Sequence, residues 1–308
     1  MNWHAMGRYA APGGERVALI LDSGVYDAAA TAETLGMAAT AASPLRGIAG
    51  LLADWPASAA ALAGLAARAA EAAARGTIKP LTGARLLAPC QPQRIFAAAS
   101  NYQEHAKEMG TKLAARTELQ PYFFMKADTA VVGPGDAVRM PKGTQKLDWE
   151  VELAAVIGRG GRDIGVEQAL AHVAGYTILN DISARDLNRR SDYPFTHDWF
   201  RGKSWDTFAP LGPCFVPAGC IADPQKLRLQ LSVNGKMMQD GSSAEMIFSV
   251  AEQIAYLSSI LTLKPGDIIA TGTPTGVGMG MGIYLKPGDV MSASIESIGT
   301  LENPVVAA

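Results

Sequence analysis

Between residues 148 and 157 the chain reads Asp-Trp-Glu-Val-Glu-Leu-Ala-Ala-Val-Ile, and no other stretch limits its fold so tightly. Strict alternation of acidic and apolar residues has the period of a β-strand. Asp148, Glu150 and Glu152 then share one face, and Trp149, Val151 and Leu153 the other. Alternation alone also marks an amphipathic strand with a solvated acidic face. The continuation argues otherwise, because residues 154–157 are apolar throughout, as in a strand covered on both sides. A second apolar run, residues 173–179, delivers Asn180-Asp181 at its end. If the two runs pair, Glu150, Glu152 and Asp181 converge in a partly buried place. Like charges there repel and raise one another's pKa unless a cation neutralises them. An all-oxygen set suits Mg²⁺ or Mn²⁺, with Ca²⁺ as a non-physiological occupant. Zinc fits less well, since His105, His172 and His197 show no HExxH-type spacing and the three cysteines form no CxxC.

The rest of the chain divides by texture into an N-terminal region, residues 1–85, and a larger second part, residues 86–308. In the first part, 15–28 reads as two short strands around Asp22-Ser23-Gly24, and 58–75 as an alanine-rich helix with Ser58 able to cap it. In the second part, β-type runs recur at 150–157, 227–233, 267–270 and 290–295, with Tyr284-Leu285 as another apparent strand. Short helices are expected at 166–173 and 249–261. The sum is an α+β, predominantly β fold rather than a doubly wound sheet, with a small N-terminal α/β region. At 308 residues the chain is long enough for a large core. Its net charge of −2 gives no basic footprint for nucleic acid or a membrane surface. The N-terminal residues lack a signal-peptide core, and Cys90, Cys214 and Cys220 suggest no disulfide framework, so a reducing cytoplasmic location is expected.

Further polar clusters need a place. His105 and Glu108 stand three apart, on one face if helical, where the carboxylate can orient an imidazole acting as general base; a surface ion pair has the same spacing. Arg185-Asp186 follows Asp181. Lys203 sits among aromatics that can bury its amine, although a solvated lysine reads alike. The stretch 271–278, Thr-Gly-Thr-Pro-Thr-Gly-Val-Gly, offers backbone N–H groups to a carboxylate and is not a Walker A loop. His197 reads as a pocket residue or a satisfied loop histidine, and Arg201 as a carboxylate binder or a partner of Asp198. Neither a G-x-S-x-G elbow nor a dinucleotide fingerprint occurs.

In this order, NYQEHAKE (101–108), PYFFMK (121–126), DWEVELAAVIG (148–158), NDISARD (180–186), GKSWDTFAPLGP (202–213) and TGTPTGVG (271–278) resemble the fumarylacetoacetate hydrolase family. The resemblance implies a mixed β-roll or sandwich, a homodimer, and Mg²⁺ or Mn²⁺ on Glu150, Glu152 and Asp181. It implies that His105 and Glu108 are a water-activating dyad on a mobile lid, that Lys203 is the cation beside the metal, and that Arg185 and Thr273 contact substrate. The family's founding hydrolase carries an additional aspartate ligand where Asn101 stands here, so three protein ligands are expected, as in the shorter acylpyruvase-like members. Asn188 replaces a substrate-binding glutamine. The implied reaction is metal-dependent hydrolysis of a C–C bond in a 1,3-diketo acid of acylpyruvate or fumarylpyruvate type. A decarboxylase, hydratase or isomerase of aromatic catabolism, working through the same enolate, is the alternative. A silent binding or structural protein is a third reading, but it would not need every ligand and both dyad residues retained.

Overall fold

The structure, a computed structural model, describes residues 3–37 and 47–308. Its centre is the strand Val151–Ile157, all seven residues of which are buried. One edge pairs antiparallel with Val173–Asn180, matching Val151 to Asn180 and Glu152 to Leu179. The other pairs antiparallel with Ile268–Ala270. The sheet runs in the order Gly24–Asp27, Gly14–Leu21, Ala5–Ala11, Ala209–Pro217, Val173–Asn180, Val151–Ile157, Ile268–Ala270, Ile95–Ala99, Tyr122–Lys126. A second sheet of five strands runs Lys236–Ser242, Arg228–Val233, Val290–Ile295, Gly299–Ala307, Val138–Met140. In this sheet Leu229 and Leu231 alternate with more open neighbours, as do Met291 and Ala293, so each strand has one core-facing side. The two sheets meet at the chemistry-bearing strands: Gln239 accepts from Val151 N at 3.0 Å, and Met291 Sδ from Asn180 Nδ2 at 3.4 Å. The architecture is mixed α+β and predominantly β, as the strand periodicity indicates.

The N-terminal residues extend the central sheet. Gly14–Leu21 and Gly24–Asp27 form the expected hairpin, with Leu21 opposite Gly24. A strand that sequence reading passed over, Ala5–Ala11, pairs along its whole length with Gly14–Leu21 and touches Ala209–Pro217 at Met6–Phe215. Its small residues and Gly7-Arg8 give no alternation to read. The alanine-rich helix starts earlier than expected, at Trp55, and runs to Ala74 with proline in its first turn. Ser58 is not its cap: it is buried within the helix, and its amide already donates to Asp54 C=O.

Both helices expected in the second part are present. Val166–Ala169 continues as a 3₁₀ turn over Leu170–His172, and Ser249 caps Val250–Ile260 in a box with Glu252. Tyr284-Leu285 is not a strand; only Leu285 bridges, to Leu147. All three cysteines are free thiols. Among the described residues no helix is long and apolar enough to cross a membrane.

Trp55 pins the long helix to the sheet. Its ring meets Phe215 edge-on at 5.3 Å, and a Cβ on Gly158 would lie 2.8 Å from it. We expect Trp55→Ala to cost about 3–5 kcal/mol of stability, the range for emptying a large aromatic site in a core. Chemical denaturation checks this; a loss below about 1 kcal/mol would mean the helix adds little to the sheet.

Candidate active site and metal centre

The pairing of Val151–Ile157 with Val173–Asn180 sets the acidic residues side by side. Asp181 N donates to Glu150 C=O at 2.8 Å, and Asn180 Oδ1 accepts from Glu150 N at 2.9 Å, which closes the open end of the ladder. One oxygen from each of Glu150, Glu152 and Asp181 lies within 4.8 Å of the others, and all three residues are buried. The convergence expected from the two runs is therefore present.

Three cations stand against these acids. Lys203 Nζ lies 2.7 Å from Glu150 Oε2 and 2.5 Å from Asp181 Oδ2, so it is a buried lysine and not a solvated one. Lys126 pairs with Asp181 and also donates to Lys203 C=O. Arg185 joins Asp148 at 2.8 Å and Glu150 at 2.6 Å. Burial alone would raise the Glu150 pKa, but Lys203 and Arg185 outweigh it and hold the carboxyl well below the usual range. Burial likewise pulls the ammonium groups down. For Lys126 it prevails over Asp181, whereas Asp181 and Glu150 together keep Lys203 above its ordinary value.

Glu152 differs from its neighbours. Among the described residues no ion pair reaches it, and its one recorded hydrogen bond comes from Gly272 N at 2.8 Å. Burial, with Asp181 and Glu150 close by, pushes its pKa well above the ordinary carboxylate value. A buried carboxylate without a cation, in a set of three oxygen donors, is what a hard divalent ion would neutralise. Asn101 is not free to join as a fourth ligand. Its Nδ2 donates to Phe248 C=O and Thr271 C=O, and its Oδ1 accepts from Phe248 N.

A cavity of about 580 Å³ opens onto Glu150 and Glu152. Arg185, Asn188, Lys203, Thr273 and His105 also line it, whereas Asp181 and Glu108 are not in its wall and touch Lys203 and His105 instead. His105 sits on the short helix Gln103–Glu108, buried, with Nδ1 at 3.3 Å from Glu108 Oε2. Thr273 gives its hydroxyl hydrogen to Val151 C=O and accepts from Gln239, so a substrate carboxylate would have to compete for that hydrogen. Asn188 Oδ1 is a buried acceptor with no hydrogen-bond partner among the described residues. His197 lines the cavity although its ring is exposed and faces the Thr196 hydroxyl. Asp198 is taken by Arg190 and by the Arg201 amide, so of the two readings of Arg201 the ion pair with Asp198 is not formed.

The glycine-rich loop does hold carboxylates, but they are the protein's own. Gly272 N binds Glu152, Gly276 N binds Glu108 at 3.0 Å, and Gly278 N and Met279 N bind Asp148 at 2.6 and 2.9 Å.

Comparison with known proteins agrees with this geometry. The fumarylacetoacetate (FAA) hydrolase C-terminal family model matches residues 94–306. The chain belongs to the fumarylacetoacetate hydrolase family. It is 40% identical to the human mitochondrial oxaloacetate tautomerase FAHD2A over 237 residues, 76% of this chain and 73% of that one. Among solved structures, the fumarylacetoacetate hydrolase of Exiguobacterium antarcticum superposes with a TM-score of 0.77 at 34% identity, covering 99% of this chain and 100% of that one. The fumarylpyruvate hydrolase of Pseudomonas aeruginosa, solved with Mn²⁺ and pyruvate, superposes at 0.64 with 35% identity, over 73% of this chain and 92% of that one. The chain is thus an enzyme of the fumarylacetoacetate hydrolase superfamily with an acidic, metal-competent centre.

Two members of this family site escaped sequence reading. Lys126 ends the strand Tyr122–Lys126, where a terminal lysine ordinarily reaches solvent. Asp148 shares the acidic face but serves Arg185 and the loop amides rather than the triad. Because Arg185 orients Glu150, we expect Asp148→Asn to weaken Mn²⁺ binding about 10- to 100-fold, the usual effect of losing a residue that orients a metal ligand. Titration calorimetry on the folded variant measures it; unchanged affinity would show that Glu150 needs no such orientation.

Proposed function

We propose that this enzyme works on a 2-oxo acid with a second carbonyl at the β position, through its enolate, and that it hydrolyses the C–C bond between the two carbonyl-bearing halves. Carrying this reading is the placement of Glu150, Glu152 and His105 on one cavity, with Asp181 beside the two glutamates and Glu108 beside the imidazole. A divalent cation held by Glu150, Glu152 and Asp181 would supply Lewis acidity for the negative charge of the enolate. With Nδ1 turned to Glu108, Nε2 of His105 is the nitrogen left to take a proton from water. Glu108 then stabilises the resulting imidazolium. Water adds to the acyl carbonyl carbon, the adjacent C–C bond breaks, and its electron pair passes to the pyruvate half. A proton returned to that carbon completes the balance. The Lys203 ammonium, fixed by Glu150 and Asp181, adds a positive charge where the enolate forms. Asn188 would contact substrate only by turning its amide away from Gly202, because Oδ1 is buried where it stands. Apolar walls from Leu119, Tyr122, Phe124, Ile247 and Phe248 suit the acyl end.

A second reading, keto–enol tautomerisation of oxaloacetate, is supported by the 40% identity to the human tautomerase. It uses the same enolate and needs a proton shuttle but no attacking water.

Protein loaded with Mg²⁺ or Mn²⁺ should consume acetylpyruvate, followed by loss of its diketo-enol absorbance, and Glu150→Ala should abolish this. His105→Ala should lower the rate about 10²- to 10⁴-fold, as loss of a general base does. Accelerated equilibration of oxaloacetate, with acetylpyruvate untouched, would move the assignment to the tautomerase. Activity toward neither, with the cation bound, would refute the enolate reading.

A further inference from the structure

The Glu108 carboxylate does more than face His105. Its Oε1 and Oε2 accept from Gly276 N at 3.0 and 3.2 Å, and its side chain packs against Gly280. A Cβ built on Gly280 would stand 2.3 Å from Glu108 Cγ and 2.6 Å from Cδ and Oε1. Those atoms are the far end of a flexible side chain, so the inexpensive response to a methyl group is for Glu108 to leave. Gly276 has no comparable freedom. Its φ is +98°, and a Cβ there would fall 2.0 Å from Met238 C=O, a fixed backbone atom in the second sheet.

We infer that Gly276 and Gly280 form a seat for the Glu108 carboxylate, one giving an N–H and the other room, and that this seat fixes the His105 helix over the acidic centre. The same loop binds Glu152 through Gly272 N and Asp148 through Gly278 N. One backbone segment therefore sets the dyad, the unpaired acid and the residue that supports Arg185 at mutual distances that no single side chain defines. The helix itself, six residues long, has no side-chain cap and cannot hold that position alone. Gly276 and Gly280 act through Glu108, so they are positioning residues. His105's part in chemistry rests on the hydrolase reading above; the seat does not, because it concerns where the helix lies.

A double-mutant cycle on the full chain tests this, read by hydrogen exchange of the 103–108 amides and by melting temperature. Gly280→Ala should speed that exchange on the order of 10-fold, as expected for losing a hydrogen bond to a charged group. Mn²⁺ affinity should stay unchanged. In Glu108→Ala the seat is already vacant, so Glu108→Ala/Gly280→Ala should exchange no faster than Glu108→Ala. Its melting temperature should also lie above that of Gly280→Ala. If Gly280→Ala fails to fold, recovery of folding in the double variant supports the seat just as well. Unchanged exchange in Gly280→Ala, effects that multiply in the double variant, or failure of both variants to fold would each overturn it. Activity gives a separate reading: loss of turnover in Gly280→Ala with normal exchange would place its effect elsewhere than on the helix.

Discussion

The structure depends on keeping ionised groups in a core. Four carboxylates, Asp148, Glu150, Glu152 and Asp181, lie buried against three cations, Lys126, Arg185 and Lys203, an excess of one acid over the cations. Bringing an ion out of water costs several kcal/mol even after relaxation, so such a cluster persists only when nearly every charge is paired and hydrogen-bonded. Glu150 and Asp181 meet that condition through Lys203, Lys126 and Arg185. Glu152 does not, and its raised pKa follows from burial beside two other acids. The imbalance falls at a set of three oxygen donors, two of which, Glu150 and Glu152, face the cavity. A divalent ion on this triad would meet the electrostatic demand that the fold creates.

Much of the surrounding architecture serves this cluster. Every residue of Val151–Ile157 is buried, and the second sheet packs against the strand through Arg228–Val233 and Val290–Ile295. Gln239, from the second sheet, reaches Val151 N and Thr273 Oγ1, tying the strand to the loop that carries Gly272. In that loop, backbone amides answer carboxylates without adding mobile positive side chains. Rigid donors of this kind suit a site that has to be ready before substrate arrives.

How much of this could be read in advance varies with the physics. The alternation at 148–153 followed by continuous apolarity made the triad legible, because period and burial both leave marks in sequence. The spacing of His105 and Glu108 predicted their contact on a helix but left a surface pair equally open, and burial of the imidazole appears only in the fold. Lys203 was ambiguous, since a lysine among aromatics has one pattern whether its amine is buried or snorkels to water. Lys126 was not legible: its partner Asp181 lies 55 positions away, and only folding joins them. The loop at 271–278 was read correctly as a holder of carboxylates, but composition does not say whose. Ala5–Ala11 escaped because its pairing partners, rather than its own sequence, make it a strand. The early start of the Trp55–Ala74 helix reflects a tertiary anchor, Trp55 on Phe215, that outranks the local cap at Ser58.

Anomalous diffraction from crystals grown with Mn²⁺ bears most directly on the central claim. A single strong peak bonded to oxygens of Glu150, Glu152 and Asp181 at roughly 2.0–2.4 Å, with Asn101 still turned to the backbone, is the expected result. Absence of a peak there at saturating Mn²⁺, or a site that leaves Glu152 unbound, would contradict the account: the excess buried charge would then be carried by a proton instead of a metal.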